Sequence, residues 1–212
     1  MHIPDGFISP KTYIPLYAVS SALWVYGFNR IKKELDEKAI PKLSILTALS
    51  FILMTLAVPI PGGTSVHGVG AAILSLMLGP MLSFISISLS LLIQTIIFGM
   101  GGTTSLPVNS LCIGFVGSYS AYLIYKLFNK INENISFFLS GYLSLVLSSF
   151  FIAIILGIQP LLGKDLEGKP LFFPFGLAIT IPALLIPHLI AGVGEGILTL
   201  IVLKFFKKVQ TK

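Results

Sequence analysis

The chain has 212 residues, of which 55% are hydrophobic and only 10% charged, with a formal net charge of +6. About a quarter of the residues of a soluble domain are charged, so composition excludes a water-exposed globule and predicts an integral membrane protein. Its single cysteine, Cys112, excludes both a disulfide framework and a cysteine-rich metal site.

Apolar stretches of roughly bilayer-spanning length recur along the chain. A bilayer core about 30 Å thick requires about 20 apolar residues in a helix. The stretches are Thr12–Phe28, Leu43–Ile60, Val66–Leu78, Met81–Met100, Leu106–Leu127, Ile135–Ile158 and Leu177–Phe206. The third is too short to span alone, and its small residues between Gly68 and Ala72 indicate close packing inside a bundle. We predict an all-α membrane protein of about seven transmembrane helices, six full spans plus one short, with the last kinked or broken at Pro182 and Pro187.

The basic residues divide unevenly between the two sides of such a bundle. With the N-terminus outside, only Lys11, Lys164 and Lys169 lie on the outer side, and the other eleven of the fourteen basic residues are cytoplasmic. This is the positive-inside pattern, and it fits an odd number of spans with a cytoplasmic C-terminus. The net positive charge is therefore explained by topology, not by nucleic-acid binding. We expect a single membrane domain over 1–212, made of an N-terminal metal-binding segment (1–11), a helical bundle (12–206) and a cytoplasmic tail (207–212).

Three segments rich in Gly, Ser, Thr or Pro fall together on the outer side. They are the N-terminal decapeptide MHIPDGFISP, the PGGTSVHG loop (61–68) and the GMGGTTSLPVN loop (99–109). Irregular backbone near membrane depth persists only where it is buried in protein or lines a cavity. We therefore expect these segments to form an outward-facing ligand site.

The first two residues form a compact chelator. The decapeptide lacks the basic and apolar regions of a signal peptide, so we expect the mature protein to begin at Met1 or His2. The Met1 amine, the His2 amide nitrogen and the His2 imidazole close one five-membered and one six-membered ring around an ion. One further nitrogen completes a square-planar site, a geometry typical of Ni(II) or Cu(II). Of the two other histidines, His67 shares the outer side with Met1 and is the expected fourth donor.

Four motifs of the chain resemble those of the NikM/CbiM family. They are the opening MHIPDGFISP, GTSVHGVG, GGTTSLPVN and the late GVGEG, and the resemblance covers nearly the whole chain. Members of this family are the substrate-specific membrane subunits of energy-coupling-factor transporters for nickel and cobalt. The resemblance implies that Met1, His2 and His67 hold the metal. The loop lacks the Cys-Ser-His arrangement usual in the cobalt branch, which favours nickel.

Four other polar residues are candidates to orient the metal ligands. Asp5 either caps a turn or orients the chelate, because groups behind the ligands commonly fix their geometry. Asn109 is either a helix cap or a neighbour of the site. Glu195 and His188 lie seven residues apart on one face of the last helix, where ionisable residues suggest function. Their simpler interpretation is that they bond each other or a neighbouring helix.

The chain has no phosphate-binding GxxxxGK[ST] loop, so we expect it to bind no nucleotide and to depend on partners for ATP hydrolysis. The family resemblance implies a membrane coupling subunit and a pair of cytoplasmic ATPases in a prokaryotic cell membrane, with a small accessory membrane subunit as a further candidate. Three alternatives remain open: a Co(II)-specific homologue supplying cobalamin synthesis, an intramembrane metalloenzyme, and a passive channel or carrier. No HExxH motif supports the second, and no repeated halves support the third.

Overall fold

The computed structural model of the chain describes residues 2–34, 39–60 and 64–210, and these are almost entirely helical. The helices are α1 (Pro10–Glu34), α2 (Ala39–Thr55), α3 (Ala71–Leu78), α4 (Pro80–Phe98), α5 (Leu106–Phe128), α6 (Glu133–Gly157) and α7 (Leu177–Gln210). A single further turn, Gln159–Leu162, follows α6. The predicted all-α bundle of seven helices is therefore confirmed.

Four of the described helices are long and apolar enough to cross a membrane: α4, α5, α6 with the turn that follows it, and α7. The apolar part of α2 is shorter, and α3 has only 8 residues. Helix α3 is nonetheless buried, with Ala71 and Ala72 almost fully covered, as its small residues predicted. Helix α7 runs without a break through Pro182 and Pro187 and continues to Gln210, into the stretch predicted as a tail.

Helices α6 and α7 approach each other very closely. A Cβ placed on Gly141 of α6 would lie 2.7 Å from the backbone oxygen of Glu195, and one on Gly196 of α7 would lie 2.8 Å from that of Phe138. Small residues let membrane helices pack backbone against backbone in this way.

Between α2 and α3, the end of the predicted apolar stretch Leu43–Ile60 and the start of Val66–Leu78 are not helical. This segment contains an antiparallel hairpin of β1 (Val58–Ile60) and β2 (Thr64–Val66), with Val58 opposite Val66. Helix α3 begins only at Ala71, because Gly70 adopts a left-handed conformation (φ 71°) that an α-helix cannot continue through. The backbone between β2 and α3 is therefore not helical, and its amides at Val69 and Gly70 bond Glu195 of α7.

Helix α5 changes its winding in the middle. Residues Ser110–Val116 form a π-helix between two α-helical ends. Such segments are rare and often mark functional sites. Here the π-helix begins directly after Asn109, which contacts the N-terminal segment.

Candidate metal centre

Residues 2–9, the N-terminal strap, are inserted into the bundle and held there by polar anchors. The deepest anchor is at Ile3, which is fully buried. Its amide donates to Asn109 Oδ1 at 3.1 Å, and its carbonyl accepts from Asn109 Nδ2 at 3.2 Å and from the Ser105 hydroxyl. Asn109, a candidate from sequence, therefore fixes the residue next to His2. Ser105 was not singled out by the sequence analysis.

A second anchor is formed by Asp5 at the surface. Its carboxylate accepts hydrogen bonds from the amides and hydroxyls of Thr103 and Thr104, at 2.6–3.3 Å. Partial burial acts in the opposite direction, but these bonds, those of Thr104 foremost, hold the pKa of Asp5 below its usual value. Gly102 is required beside it, because a Cβ there would clash with the Asp5 backbone and carboxylate. Asp5 thus ties the strap to the loop before α5; that it orients the chelate stays a prediction.

The third anchor lies at the end of the strap. The Ser9 amide donates to Gln159 Oε1 at 2.9 Å, and Gln159 Nε2 donates to the backbone oxygen of Ile155 at 2.6 Å. Gln159 is fully buried at the end of α6. The sequence analysis missed it, although a glutamine directly after an apolar stretch is a signal of this kind.

The anchored strap brings His2 against His67. Both side chains are buried, at 6% and 3% exposure, and their ring centroids lie 4.5 Å apart. With metal–nitrogen bonds of about 2.0–2.1 Å, two imidazoles that share one ion at right angles have ring centres roughly 4.4 Å apart. The spacing of the two rings therefore matches two neighbouring ligands of a single ion, but the rings are stacked with only 21° between their planes, so binding one ion would require them to rotate.

The hydrogen bonding of His67 defines which of its nitrogens is available. Nδ1 lies 3.0 Å from the Gly68 carbonyl, and a carbonyl only accepts, so Nδ1 carries the proton. Nε2 therefore holds the lone pair, and it has no hydrogen-bond partner in the described part of the chain. A metal-binding histidine commonly has this arrangement, with the far nitrogen fixed by a carbonyl. Burial also keeps the pKa of His67 well below its ordinary value, so the ring is neutral and able to bind a metal.

Gln94 of α4 completes the surroundings of His2. Its Nε2 donates to the Phe51 carbonyl at 3.2 Å and to the Thr55 hydroxyl at 3.3 Å, which joins α4 to α2. The same side chain interacts with the His2 imidazole. An interhelical hydrogen bond is the simpler interpretation of a glutamine in an apolar helix, and Gln94 makes such bonds here.

Glu195 acts on the loop that carries His67. Its carboxylate accepts the Val69 amide at 3.2 Å and the Gly70 amide at 2.5 Å, and it is only 4% exposed. Hydrogen bonds to a carboxylate are about twice as strong as those between neutral groups. Glu195 therefore positions His67 through the backbone, and its bonds are to the loop before α3.

We expect Glu195→Ala to weaken metal binding and to destabilise the fold. Each buried amide left without an acceptor costs about 1–3 kcal/mol. Loss of a group that orients a ligand lowers metal affinity by about 10–100-fold. Thermal unfolding and Ni(II) titration of the purified variants measure the two effects, with Glu195→Gln, which keeps one acceptor oxygen, falling between. Glu167→Gln, with 72% of its side chain exposed, is the control; a response equal to that of Glu195→Ala would contradict the assignment.

The remaining candidates are placed differently. Met1 lies outside the described residues. His188 is fully buried in α7, and its Nδ1 lies 2.6 Å from the carbonyl of Leu184 in its own helix. No group of three or more His, Cys, Asp or Glu side chains suited to a metal occurs in the described ranges. Among the described histidines, His2 and His67 are the pair whose rings lie together.

Comparison with known proteins gives consistent matches over the whole chain. The family model of the cobalt uptake substrate-specific transmembrane region (CbiM) matches residues 2–212. A probable fused nickel transport protein of Lactiplantibacillus plantarum, LarMN, is 35% identical over 99% of this chain, which spans only 65% of that relative's length. The cobalt transport protein CbiM of Clostridium tetani is 28% identical over 100% of this chain and 86% of its own. A solved structure of a transition metal transporter superposes with a TM-score of 0.96 at 38% identity, covering 100% of this chain and 95% of the other.

Proposed function

The chain belongs to the CbiM family of cobalt uptake substrate-specific transmembrane proteins, and on this premise we propose that it is the Ni(II)-binding subunit of an ATP-driven energy-coupling-factor transporter. The resemblance drawn from its motifs is thereby confirmed, and the chain is a multi-pass membrane protein of a family of metal transport components, not of enzymes. The observation that carries the proposal is the pairing of buried His2 and His67 at 4.5 Å, with Nε2 of His67 available.

In the proposed site, one Ni(II) ion is held by four nitrogens in a plane. The Met1 amine, the His2 amide and the His2 imidazole supply three, and Nε2 of His67 supplies the fourth. The strap anchors at Ile3 and Asp5 support this assignment because they hold His2 at a fixed depth. Ni(II) favours planar nitrogen coordination, whereas Zn(II) favours a tetrahedral site.

The metal distinguishes this proposal from its nearest alternative, a Co(II) subunit supplying cobalamin synthesis. Relatives carry names of both kinds, nickel and cobalt. Absorption and magnetic measurements on the Ni(II)-loaded protein test the site: a diamagnetic yellow-to-orange complex is expected. A high-spin six-coordinate spectrum would reject the planar site, and displacement of Ni(II) by equimolar Co(II) would reject nickel as the cargo.

Transport in this proposal requires partners. A membrane coupling subunit and a pair of cytoplasmic ATPases would drive the movement of the metal-loaded protein, with an accessory membrane subunit as a further component. The N-terminus would face outward. The basic ends of α1, α5 and α7 support this orientation because they lie away from the strap: Lys207 of α7 pairs with Glu133 of α6 at 2.6 Å, at the opposite end of both helices from Gln159.

We expect Ni(II) affinity to fall about 100-fold for each pH unit below about 7. Burial lowers the pKa of His2 to about 3 and that of His67 well below 6.5, so neither imidazole binds a proton until the solution is strongly acidic. Protons then compete with the metal only at the amine, whose ordinary pKa is about 7.7–8.0, and at the amide. Competition titrations between about pH 5 and 7 measure the slope.

The number of protons released per Ni(II) discriminates between site compositions. Two protons correspond to the amine and the amide. A slope near four would mean that both imidazoles titrate at ordinary pKa values, which contradicts their burial. A slope of one or less would mean that the amide keeps its proton, which excludes it as a ligand.

A further inference from the structure

His188 is a buried imidazole that the proposed planar site does not use. Its Nδ1 lies 2.6 Å from the Leu184 carbonyl and therefore donates its proton there, leaving the lone pair on Nε2. Nε2 is buried, and it has no hydrogen-bond partner among residues 2–34, 39–60 and 64–210. Buried polar atoms are nearly always paired, so this bare nitrogen requires an explanation. His67 has the same arrangement: a fixed Nδ1 and an available Nε2.

The hydrogen bonds of Glu195 hold the loop that carries His67 against α7, the helix of His188. Glu195 lies seven residues after His188 on the same face of α7, about 10.5 Å along the helix, and it holds the amides of Val69 and Gly70. Two residues of extended chain span at most about 7 Å from Val69 back to His67. The preceding strand, β2, also packs against α7. The loop is therefore fixed to α7 on both sides of His67, and His188 is close enough to His67 to act on it electrostatically.

We propose that Nε2 of His67 and Nε2 of His188 form a second position for a divalent transition metal, adjacent to the planar site and used when the N-terminal nitrogens release the ion. His67 belongs to both positions, so the ion changes ligands without leaving protein. Imidazole suits nickel, cobalt and zinc alike, and two imidazoles with water complete a weaker, higher-coordinate site. Nε2 of His67 has one lone pair and cannot serve both positions at once, so the two positions would be separate states of one ion. This inference rests on the proposed function for its cargo.

The second position is best measured where the first has been removed. The chain has three histidines, so His2→Ala combined with an N-terminal extension of several residues leaves His67 and His188 as its only imidazoles and displaces the terminal amine. In this background, purified with a histidine-free C-terminal tag, we expect weak stoichiometric Ni(II) binding, with two imidazoles per ion by X-ray absorption. Adding His188→Ala should lower the remaining affinity by at least about tenfold and leave one imidazole.

Thr199→Val, made in the same background, is the matched control. Thr199 is fully buried on α7, and its hydroxyl also lacks a partner within the described part of the chain, but it faces Gly141 of α6. Its replacement should leave the residual binding unchanged. Residual binding that is insensitive to His188→Ala, or an absence of binding in the background, would overturn the second position. The planar spectrum of the parent protein is measured separately, so either result leaves the proposed function standing.

Discussion

Blocking the terminal amine should abolish high-affinity Ni(II) binding, although every side chain of the site remains. Acetylation turns the Met1 amine into an amide, and an N-terminal tag moves the new amine away from His2. Either change removes one nitrogen and opens the five-membered ring. We expect affinity to fall by well over about 100-fold, since loss of a group that only orients a ligand already costs about 10–100-fold. Calorimetric titration of purified protein and uptake by the assembled transporter measure the loss.

The length of the added segment decides whether the tag removes the terminal chelate or creates a new one. A single added residue would place an amine, two amides and the histidine imidazole in sequence, which is itself a planar set of four nitrogens. The tag must therefore be several residues long, and acetylation tests the amine without changing the length. A tag after Lys212, on the opposite side of the membrane in the proposed topology, is the control. Equal activity of the two tagged proteins would leave only two histidine side chains, too few nitrogens for a planar site.

His67→Ala should have the second largest effect. It removes the nitrogen opposite the His2 amide, and the remaining three donors then need water to complete the plane. We expect a loss of more than about 100-fold in Ni(II) affinity and a change in the visible spectrum. Folding should be retained, because Glu195 holds the loop through the amides of Val69 and Gly70, which the substitution does not touch.

Two controls separate binding from folding in this experiment. The fluorescence of Trp24, the single tryptophan, reports the packing of α1 against Ser110 of α5. Ser144→Ala removes a buried hydroxyl that donates a hydrogen bond of 2.9 Å to the backbone of its own helix. This variant should bind Ni(II) like the parent. Unchanged affinity in a folded His67→Ala protein would remove His67 from the ligand set.

The fold and the pairing of the two histidines were predictable because they depend on the lengths of apolar stretches and on the positions of the basic residues. Apolar stretches of the right length gave seven helices, and the positions of the basic residues placed His2 and His67 on one side. Composition cannot show that Val58–Ile60 forms a strand after the end of α2, since these three residues are as apolar as those of the helix. The winding change at Ser110–Val116 has no local pattern either.

Sequence identified several of the supporting residues of the site, but it could not specify their hydrogen-bond partners. Gln159 bonds Ser9 across 150 positions of the chain, and no spacing rule relates the two. Glu195 and His188 share a face, and they were expected to bond each other or a neighbouring helix; instead Glu195 bonds the loop before α3 and His188 bonds its own helix. A polar residue in an apolar stretch signals that a partner exists, but the partner is chosen by tertiary packing.

The three anchors of the N-terminal strap have a consequence for the thermodynamics of capture. Fixing the backbone of one residue costs about 1–2 kcal/mol in conformational entropy, which a free dipeptide chelator must lose when it closes around an ion. In this protein the bonds at Ile3, Asp5 and Ser9 hold His2 and its neighbours in place through the fold itself. In the proposed site, little of the free energy of coordination would therefore be needed to order the chain, which favours tight binding at low metal concentration. In the proposed planar site the same anchors would disfavour ions that require the ligands to leave the plane, so affinity and selectivity would have a common structural origin.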